Sequence, residues 1–213
     1  TVSRLLAALE GEGAVEQVDW GGEYVLGSAR STLAGSAGSQ ASFGAVIRPV
    51  IEELSAASGG SAGFTLRQDR AMYWVDNVDD DAMVQVADQT GQSFPMHSVP
   101  TGLAVLAMLD ADELDAYLAV PLEPAESNAP TDGAQLRRLL DGVDDDGLVV
   151  SFEELDEGVN AYASPFRGPS GSWDGAVYLQ GPSFRFPGRL DDAAVRNLVV
   201  GVAAQITERL RLH

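Results

Sequence analysis

Residues 147–182 constrain the fold more than any other part of this sequence, because glycine and proline divide them into three short apolar runs. The runs are Val149–Phe152, residues 160–166 and residues 175–179, and Gly181 and Pro182 close the last one. Apolar runs bounded by glycine and proline in this way are typical of β-strands. We therefore predict three consecutive strands that form a meander in one antiparallel sheet.

Hydrophobic spacing elsewhere predicts the remaining elements of an α+β fold. We expect Ser98 and Asp132 to cap two of the helices, and Asp132 has capping-box spacing to Gln135. Gly59 is expected to end another helix. The predicted helices cover residues 1–10, 46–57, 98–109, 113–118, 135–140 and 193–210, and the further strands cover residues 14–18, 23–26, 62–66, 72–78 and 83–87.

The composition is strongly acidic, with 32 Asp and Glu residues against 13 basic residues, all Arg, and a formal net charge of −19. Phosphate binding needs cationic side chains, so this charge alone argues against a nucleic-acid partner. At molar salt the Debye length is only about 3 Å, and a dispersed acidic surface is then largely screened. We therefore expect a protein of a salt-in halophile, with a GC-rich genome as the alternative explanation for the lack of lysine.

Cysteine and long apolar segments are both missing from the sequence. The first excludes disulfides, thiolate chemistry and cysteine-ligated zinc. The second leaves no predicted transmembrane helix, and no signal peptide is recognisable. We expect a cytoplasmic protein that does not bind membranes.

The order of these motifs resembles the IclR family of transcriptional regulators. The C-terminal signature of that family is matched by Gly147, an apolar strand, the acidic pair Glu153-Glu154, Gly158, residues 164–166 and the closing Gly181-Pro182. Residues 94–107 are similar to the segment that leads into a glycine-containing helix in the family. Residues 1–27 are similar to the second half of a winged helix-turn-helix.

This resemblance implies a GAF-like domain with a central antiparallel sheet of about six strands flanked by helices, preceded by a partial winged helix-turn-helix. Residues 1–27 would be the recognition helix and wing, 28–45 the interdomain linker and 46–213 the effector-binding domain. Residues 28–42 of this linker are rich in Ser, Ala and Gly, so we expect a mobile joint there, with a weak helix as the alternative. Since Thr1 falls inside the motif, we expect further residues before it.

The resemblance also places an effector between the sheet and the segment before the glycine-containing helix. An exposed helix N-terminus there could hold a carboxylate without a cationic side chain, unless Ser98 alone satisfies it. The family often has an acid at the position of Ser151 and serines at the positions of Tyr178 and Gln180. Because Tyr and Gln are larger than Ser, we expect these two side chains to reshape the cavity. A carboxylate or aromatic metabolite is expected, or no effector. The implied effector-binding residues are Val99, Pro100, Thr101, Gly102, Ser151, Ala161, Tyr178 and Gln180.

DNA contact would fall to the start of the recognition helix, which carries base and phosphate contacts in such domains. The residues there are Thr1, Ser3 and Arg4, and Arg4 is the only cation of this helix. The alternative is an ordinary amphipathic helix followed by a hairpin.

Catalysis, metal binding and a cofactor are not expected. We interpret His97 as a structural histidine at a helix start rather than a ligand or proton-transfer group. The acidic residues 79–81 lack EF-hand spacing and are better explained as a solvated loop than as a hard-cation site. Glu153 and Glu154 should face opposite sides of a strand and so cannot form a carboxylate pair.

Together these observations predict a ligand-responsive, DNA-binding transcriptional regulator that is not an enzyme. The resemblance implies a homodimer or tetramer on a pseudo-palindromic operator. A sensory module that binds a small molecule on a GAF-like fold without binding DNA is the alternative.

Overall fold

A computed structural model describes residues 15–17, 24–26, 29–80, 82–125, 128–188 and 190–212, with side chains described from residue 43 onward. The chain divides into two compact units, Thr1–Phe43 and Gly44–His213. None of the described helices is long and apolar enough to cross a lipid bilayer.

The first unit contains a two-stranded antiparallel sheet. Strands β1 (Val15–Gln17) and β2 (Tyr24–Leu26) pair with Val15 opposite Leu26, which confirms the two predicted strands. The predicted helix over residues 1–10 lies outside the described residues.

A 30-residue helix, α1 (Ala29–Ser58), follows the hairpin. The expectation of a mobile joint at residues 28–42 is therefore wrong, and the weak-helix alternative holds. Interior glycine costs only about 1 kcal/mol relative to alanine, and helix propagation is cooperative, so a few glycines do not stop a helix. Pro49 lies inside α1.

The C-terminal part of α1 is amphipathic as predicted, since Ile47, Val50, Ile51 and Leu54 are all at most 2% exposed. The helix ends at the predicted glycine: Gly59 has a φ of 70°, and its N–H donates to Ser55 O at 2.9 Å. A positive φ is unfavourable for residues with a Cβ, which explains glycine at this position.

The second unit is built on a six-stranded antiparallel sheet with the order β5-β4-β3-β8-β7-β6. This confirms the predicted α+β fold and the meander of residues 147–182. The strands are β3 (Ser61–Gln68), β4 (Ala71–Val78), β5 (Ser93–Pro95), β6 (Val149–Phe152), β7 (Val159–Arg167) and β8 (Trp173–Pro182). The helices are a 3₁₀ turn (Met96–Ser98), α2 (Pro100–Ala107), α3 (Ala111–Leu118), α4 (Gly133–Leu140) and α5 (Asp192–Arg211).

Aspartates at the N-caps begin three of the helices. The Asp110, Asp132 and Asp191 side chains accept hydrogen bonds from backbone N–H groups three residues later. Gln135 completes half of the predicted capping box, but its Oε1 accepts from Thr131 N–H rather than from the N-cap residue. Each such cap is worth about 1 kcal/mol, so local sequence sets these helix starts.

The sheet is covered on both faces. Helix α5 packs against β7 and β8 on one face, where Tyr162 Oη donates to Asp192 Oδ1 at 2.9 Å. Helix α2 packs against the same two strands and β6, within a core that contains Ala163, Ala176 and Tyr178. Because side chains alternate along a strand, Tyr162 and Ala163 belong to opposite faces.

Residues 83–87 do not form the third strand that their apolar pattern predicts. They lie in the connection from β4 to β5, with Met83 fully exposed and Val84 56% exposed. The edge of the sheet is occupied by Ser93–Pro95 instead, whose residue Phe94 pairs with Met72.

Arg185 holds this connection. Its guanidinium pairs with Asp80 at 2.7 Å and donates to the carbonyls of Val84, at 3.0 Å, and Gly59, at 3.2 Å. Arg48 likewise pairs with Asp76 at 2.7 Å. The described acids of this region are therefore partly neutralised by arginine, which the interpretation as a solvated acidic loop did not anticipate.

Glu153 and Glu154 follow the end of β6, so the prediction that they lie on a strand is wrong. Glu153 has a φ of 59°, and its Oε1 accepts from Gly158 N–H at 3.1 Å and from the Ser183 hydroxyl at 2.9 Å. These two hydrogen bonds give Glu153 a structural role in closing the turn.

Candidate functional site

A cavity of about 720 Å³ lies between the sheet and the segment that enters α2. Strands β4, β5, β7 and β8 supply its floor, and the turn into α2 supplies another wall. Connections between elements complete it. The described lining residues are Trp74, Val86, Ala87, Gln89, Phe94, Pro95, Ser98, Val99, Pro100, Thr101, Pro124, Ala125, Asp156, Val159, Ala161, Tyr178 and Gln180.

The structure brings six of the eight sequence-predicted effector residues to this cavity. Three come from the start of α2, namely Val99, Pro100 and Thr101. Three come from the sheet, namely Ala161, Tyr178 and Gln180. Ala161 pairs with Gln180 across β7 and β8, and Tyr178 lies two residues earlier, so all three face the same side.

Gly102 is not among the lining residues, and it has a packing role. A Cβ at this position would lie 2.1 Å from Met96 O. Glycine therefore lets the first turn of α2 lie against the preceding 3₁₀ turn, which sets the direction in which α2 leaves the cavity.

Ser151 also does not line this cavity, although it pairs with Ala161 across β6 and β7. It lines a separate depression of about 550 Å³ beside α4 and the start of α5. Its hydroxyl accepts from Leu155 N–H at 3.3 Å, so it stabilises the turn after β6.

Tyr178 lies along the sheet rather than across the cavity. A Cβ on Gly63, its partner on β3, would lie 2.3 Å from the Tyr178 hydroxyl, so the phenol occupies the space that this glycine leaves. The hydroxyl donates to Asn77 Oδ1 at 2.9 Å. This explains how a tyrosine at this position leaves a large cavity.

The negative charges around Tyr178 are dense. Its pKa is raised, first by burial and then by the nearby carboxylates of Asp88, Asp79 and Asp76. This wall of the cavity therefore has a negative electrostatic environment.

The start of α2 differs from the sequence prediction. Val99 is the N-cap, and it has no side-chain cap; Ser98 instead donates from its hydroxyl to Pro95 O at 2.8 Å, so the prediction of Ser98 as the cap is wrong. Pro100 occupies the first turn as predicted. The Thr101 hydroxyl is buried and makes no hydrogen bond to any described residue.

His97 is a structural residue, but its partners are not those expected at a helix start. It is 1% exposed, with Nδ1 at 2.9 Å from the Tyr117 hydroxyl and Nε2 at 3.0 Å from Glu123 O. Burial, together with the Arg70 charge, lowers its pKa. Arg70 stacks on the Tyr117 ring at 4.1 Å, so His97 belongs to a network beneath the cavity.

Sequence reasoning missed several walls of the site. Trp74 and Phe94 form an edge-to-face pair at 5.1 Å, and Trp74 lies 6.2 Å from the Tyr178 ring. Asp156 is an exposed lining residue in the turn between β6 and β7, and we call this side of the cavity its mouth. Their separation along the sequence hides them, although an aromatic in a β-strand is a usable signal for Trp74.

The residues proposed for DNA contact, Thr1, Ser3 and Arg4, lie outside the described part of the chain. The same is true of the helix that carries them. Among the residues that the structure describes, no group of three His, Asp or Glu side chains is arranged to hold a metal ion.

The model of the bacterial transcriptional regulator IclR C-terminal family matches residues 37–208. The chain belongs to the IclR family of transcriptional regulators. Its function is therefore transcriptional regulation, and the cavity lies in the part of an IclR-family chain that the C-terminal model describes.

Relatives and solved structures agree with this assignment. An HTH-type transcriptional regulator of Mycobacterium tuberculosis is 32% identical over 89% of this chain and 72% of its own length. The HTH-type transcriptional repressor AllR of Klebsiella pneumoniae is 26% identical over 87% of this chain and 68% of its own. The crystal structure of a putative IclR regulator from a Silicibacter species has a TM-score of 0.75, at 27% identity, over 99% of this chain and 83% of its own.

A fourth similarity shows the fold alone. The crystal structure of an IclR homologue from Microbacterium hydrocarbonoxydans, complexed with 4-hydroxybenzoate, has a TM-score of 0.70 at 19% identity. It covers 99% of this chain and 85% of its own.

Proposed function

We propose that a small molecule binds in the 720 Å³ cavity and thereby changes the affinity of this regulator for its operator. The observation that carries the proposal is the size of this open cavity, because small-molecule sites are typically clefts of about 300–1,000 Å³. Its walls combine aromatic rings with a few polar groups, which is typical of sites for small organic ligands. Of the predicted effector residues, we retain Val99, Pro100, Thr101, Ala161, Tyr178 and Gln180. Gly102 has a packing role, and Ser151 accepts a hydrogen bond in the turn after β6.

DNA binding is assigned to the first unit. Thr1, Ser3 and Arg4 would lie on the recognition helix, with the β1–β2 hairpin as the wing. Residues 1–27, 28–45 and 46–213 would be the DNA-binding part, the connection and the effector-binding domain. The relatives named as HTH-type regulators support this proposal, as does the antiparallel pairing of the wing strands.

The assembly is proposed to be a homodimer or tetramer in the cytoplasm that reads a pseudo-palindromic operator, because two-fold symmetric proteins read two-fold symmetric sites. The chain would have no enzymatic activity. We further propose an origin in a halophile, with an archaeon as the source, on the strength of the net charge of −19 and the exclusive use of arginine.

The test is a thermal-shift screen of carboxylates and aromatic metabolites in molar potassium chloride, followed by operator binding with and without each stabilising compound. Ala161→Phe places a ring in the cavity and should abolish the shift. Leu139→Phe, at a partly exposed site outside the cavity, is the matched control. A compound that stabilises both variants equally would exclude the cavity as the effector site.

A further inference from the structure

The cavity is unusual in the charges that it offers to a ligand. Among its described lining residues there is no arginine or histidine, whereas Asp156 lies at the mouth. The carboxylates of Asp79 and Asp88 act on the Tyr178 wall, as does that of Asp76, which is itself paired with Arg48. Among the described lining residues an anion would meet negative charge and no cationic side chain, and charge–charge interactions are stronger near a protein than in bulk water.

The start of α2 compensates little for this. Pro100 has no N–H group, and the N–H groups of Gly102 and Leu103 both donate to Val99 O, at 3.1 and 3.0 Å. A helix N-terminus binds anions through several free N–H groups that point at the ligand. Here the first turn leaves Thr101 as the only source of a backbone donor.

A neutral donor is nevertheless present in the wall. The Thr101 hydroxyl is buried, with the residue only 2% exposed, and it makes no hydrogen bond to a described residue. Buried polar groups in native proteins are nearly always paired with protein, water or ligand. This hydroxyl can donate to a carbonyl or ether oxygen of a bound molecule.

At the mouth, Asp156 provides a hydrogen-bond acceptor instead of a donor. The surrounding protein partly desolvates its carboxyl group and raises its pKa. A hydroxyl or amino group of a ligand would satisfy this carboxylate, whereas a ligand carboxylate would be repelled by it.

We infer that the cavity selects an aromatic ligand without negative charge, whose acceptor oxygen meets the Thr101 hydroxyl and whose hydroxyl or amino group faces Asp156. The aromatic part fits between Trp74, Phe94 and Tyr178, whose rings form one wall. This inference rests on the proposed function, since it names the class of effector for the same cavity.

The experiment compares three probes of one shape in the full chain by calorimetry: 4-hydroxybenzoate, 4-hydroxybenzamide and 4-hydroxybenzylamine. They carry a negative, zero and positive charge respectively. We expect the amide to bind at least tenfold more tightly than the benzoate, and the amine also to bind more tightly than the benzoate. Asp156→Asn should reduce the difference in affinity between the benzoate and the amide, because the substitution removes the charge that repels the benzoate.

Thr101→Val tests the buried donor with almost no change of shape. We expect about a tenfold loss of amide affinity, because a buried partner for the carbonyl is lost. Without ligand, the midpoint of thermal unfolding should stay the same or rise, since the hydroxyl makes no hydrogen bond to a described residue. The matched control is Thr65→Val: its hydroxyl donates to Ala176 O at 3.5 Å outside the cavity, so amide affinity should not change.

Three outcomes separate the claims. Tighter binding of the benzoate than of the amide would overturn the inference and leave the cavity as an effector site. An amide affinity that is the same in Thr101→Val and wild type would also overturn it. The Thr101 hydroxyl would then be hydrogen-bonded to an ordered water instead of to the ligand. No binding of any of the three probes would count against the proposed effector site, and the inference would fall with it.

Discussion

The two faces of the sheet differ in how their side chains fill space. On β7, Tyr162 and Phe166 face α5 and are fully buried, whereas Ala161 and Ala163 face the cavity side. On β8, Val177 and Leu179 alternate with Ala176 and Tyr178 in the same way. The first face is therefore packed by large side chains, whereas the second combines alanines with Tyr178, whose ring lies along the sheet, and this leaves space for a ligand. Alternate positions of the same two strands therefore serve two purposes: one set lines the cavity and the other packs the core.

The largest effect is expected on the filled face. Phe166→Ala removes a fully buried ring and should lower the free energy of unfolding by about 3–5 kcal/mol. Urea denaturation in molar potassium chloride measures this. Leu139→Ala, at a partly exposed site, should cost much less, and a loss below about 1 kcal/mol for Phe166→Ala would contradict the view that this face carries the stability.

A smaller effect is expected where Tyr178 lies over Gly63. Gly63→Ala places a Cβ 2.3 Å from the Tyr178 hydroxyl and 2.5 Å from Asp76 O, so the ring or the strand must move. We expect a loss of about 1–3 kcal/mol by the same denaturation assay.

Gly201→Ala is the control for this substitution. Gly201 lies inside α5, and a Cβ added there would have nothing within 4 Å, so the alanine should stabilise by up to about 1 kcal/mol. If both alanines had the same effect, the close approach of Tyr178 and Gly63 would not matter for stability.

The network beneath the cavity should make stability depend on pH. Burial lowers the pKa of His97 in the folded state, whereas the unfolded chain protonates it near its usual pKa of about 6.5. The unfolded state thus binds more protons as the pH falls below about 6.5, and stability decreases there by at most about 1.4 kcal/mol per pH unit.

Comparison with His97→Gln isolates this effect, because the carboxylates titrate in both proteins. The wild type should lose more stability than the variant between about pH 7 and pH 5. Arg70, Tyr117 and Glu123 face the imidazole and are unchanged in the comparison. Parallel pH profiles would mean that the imidazole is protonated in the folded state as well.

The smallest effect is expected on the cavity face. Ala161→Leu extends into the cavity and should change the free energy of unfolding by less than about 1 kcal/mol, since little has to move. Ala163→Leu, two residues along on the same face but within the core, should cost about 1–3 kcal/mol by overpacking. Equal losses would show that the space beside Ala161 closes in solution.

The sequence predicts most elements of the sheet, because strand alternation and glycine turns are local signals. Residues 160–166 and 175–179 are recognisable as strands for this reason, and parity alone places Tyr178 and Gln180 on one face. The strand prediction for residues 83–87 is wrong because an apolar run does not reveal that another segment, Ser93–Pro95, already occupies the sheet edge. The cavity wall could be predicted only in part, since the fold brings Trp74 and Asp156 to the same cavity from distant parts of the sequence and no local pattern marks this.

Arg185 links three pieces of chain that are far apart in sequence: the end of α1 at Gly59, the connection that carries Val86, Ala87 and Gln89, and the turn after β8. A ligand that displaced this connection outward would have to lengthen or break the ion pair of Arg185 with Asp80 and its hydrogen bond to Val84 O. Since the same guanidinium also donates to Gly59 O, directly after the last residue of the 30-residue α1, one side chain connects a wall of the cavity to the end of that helix.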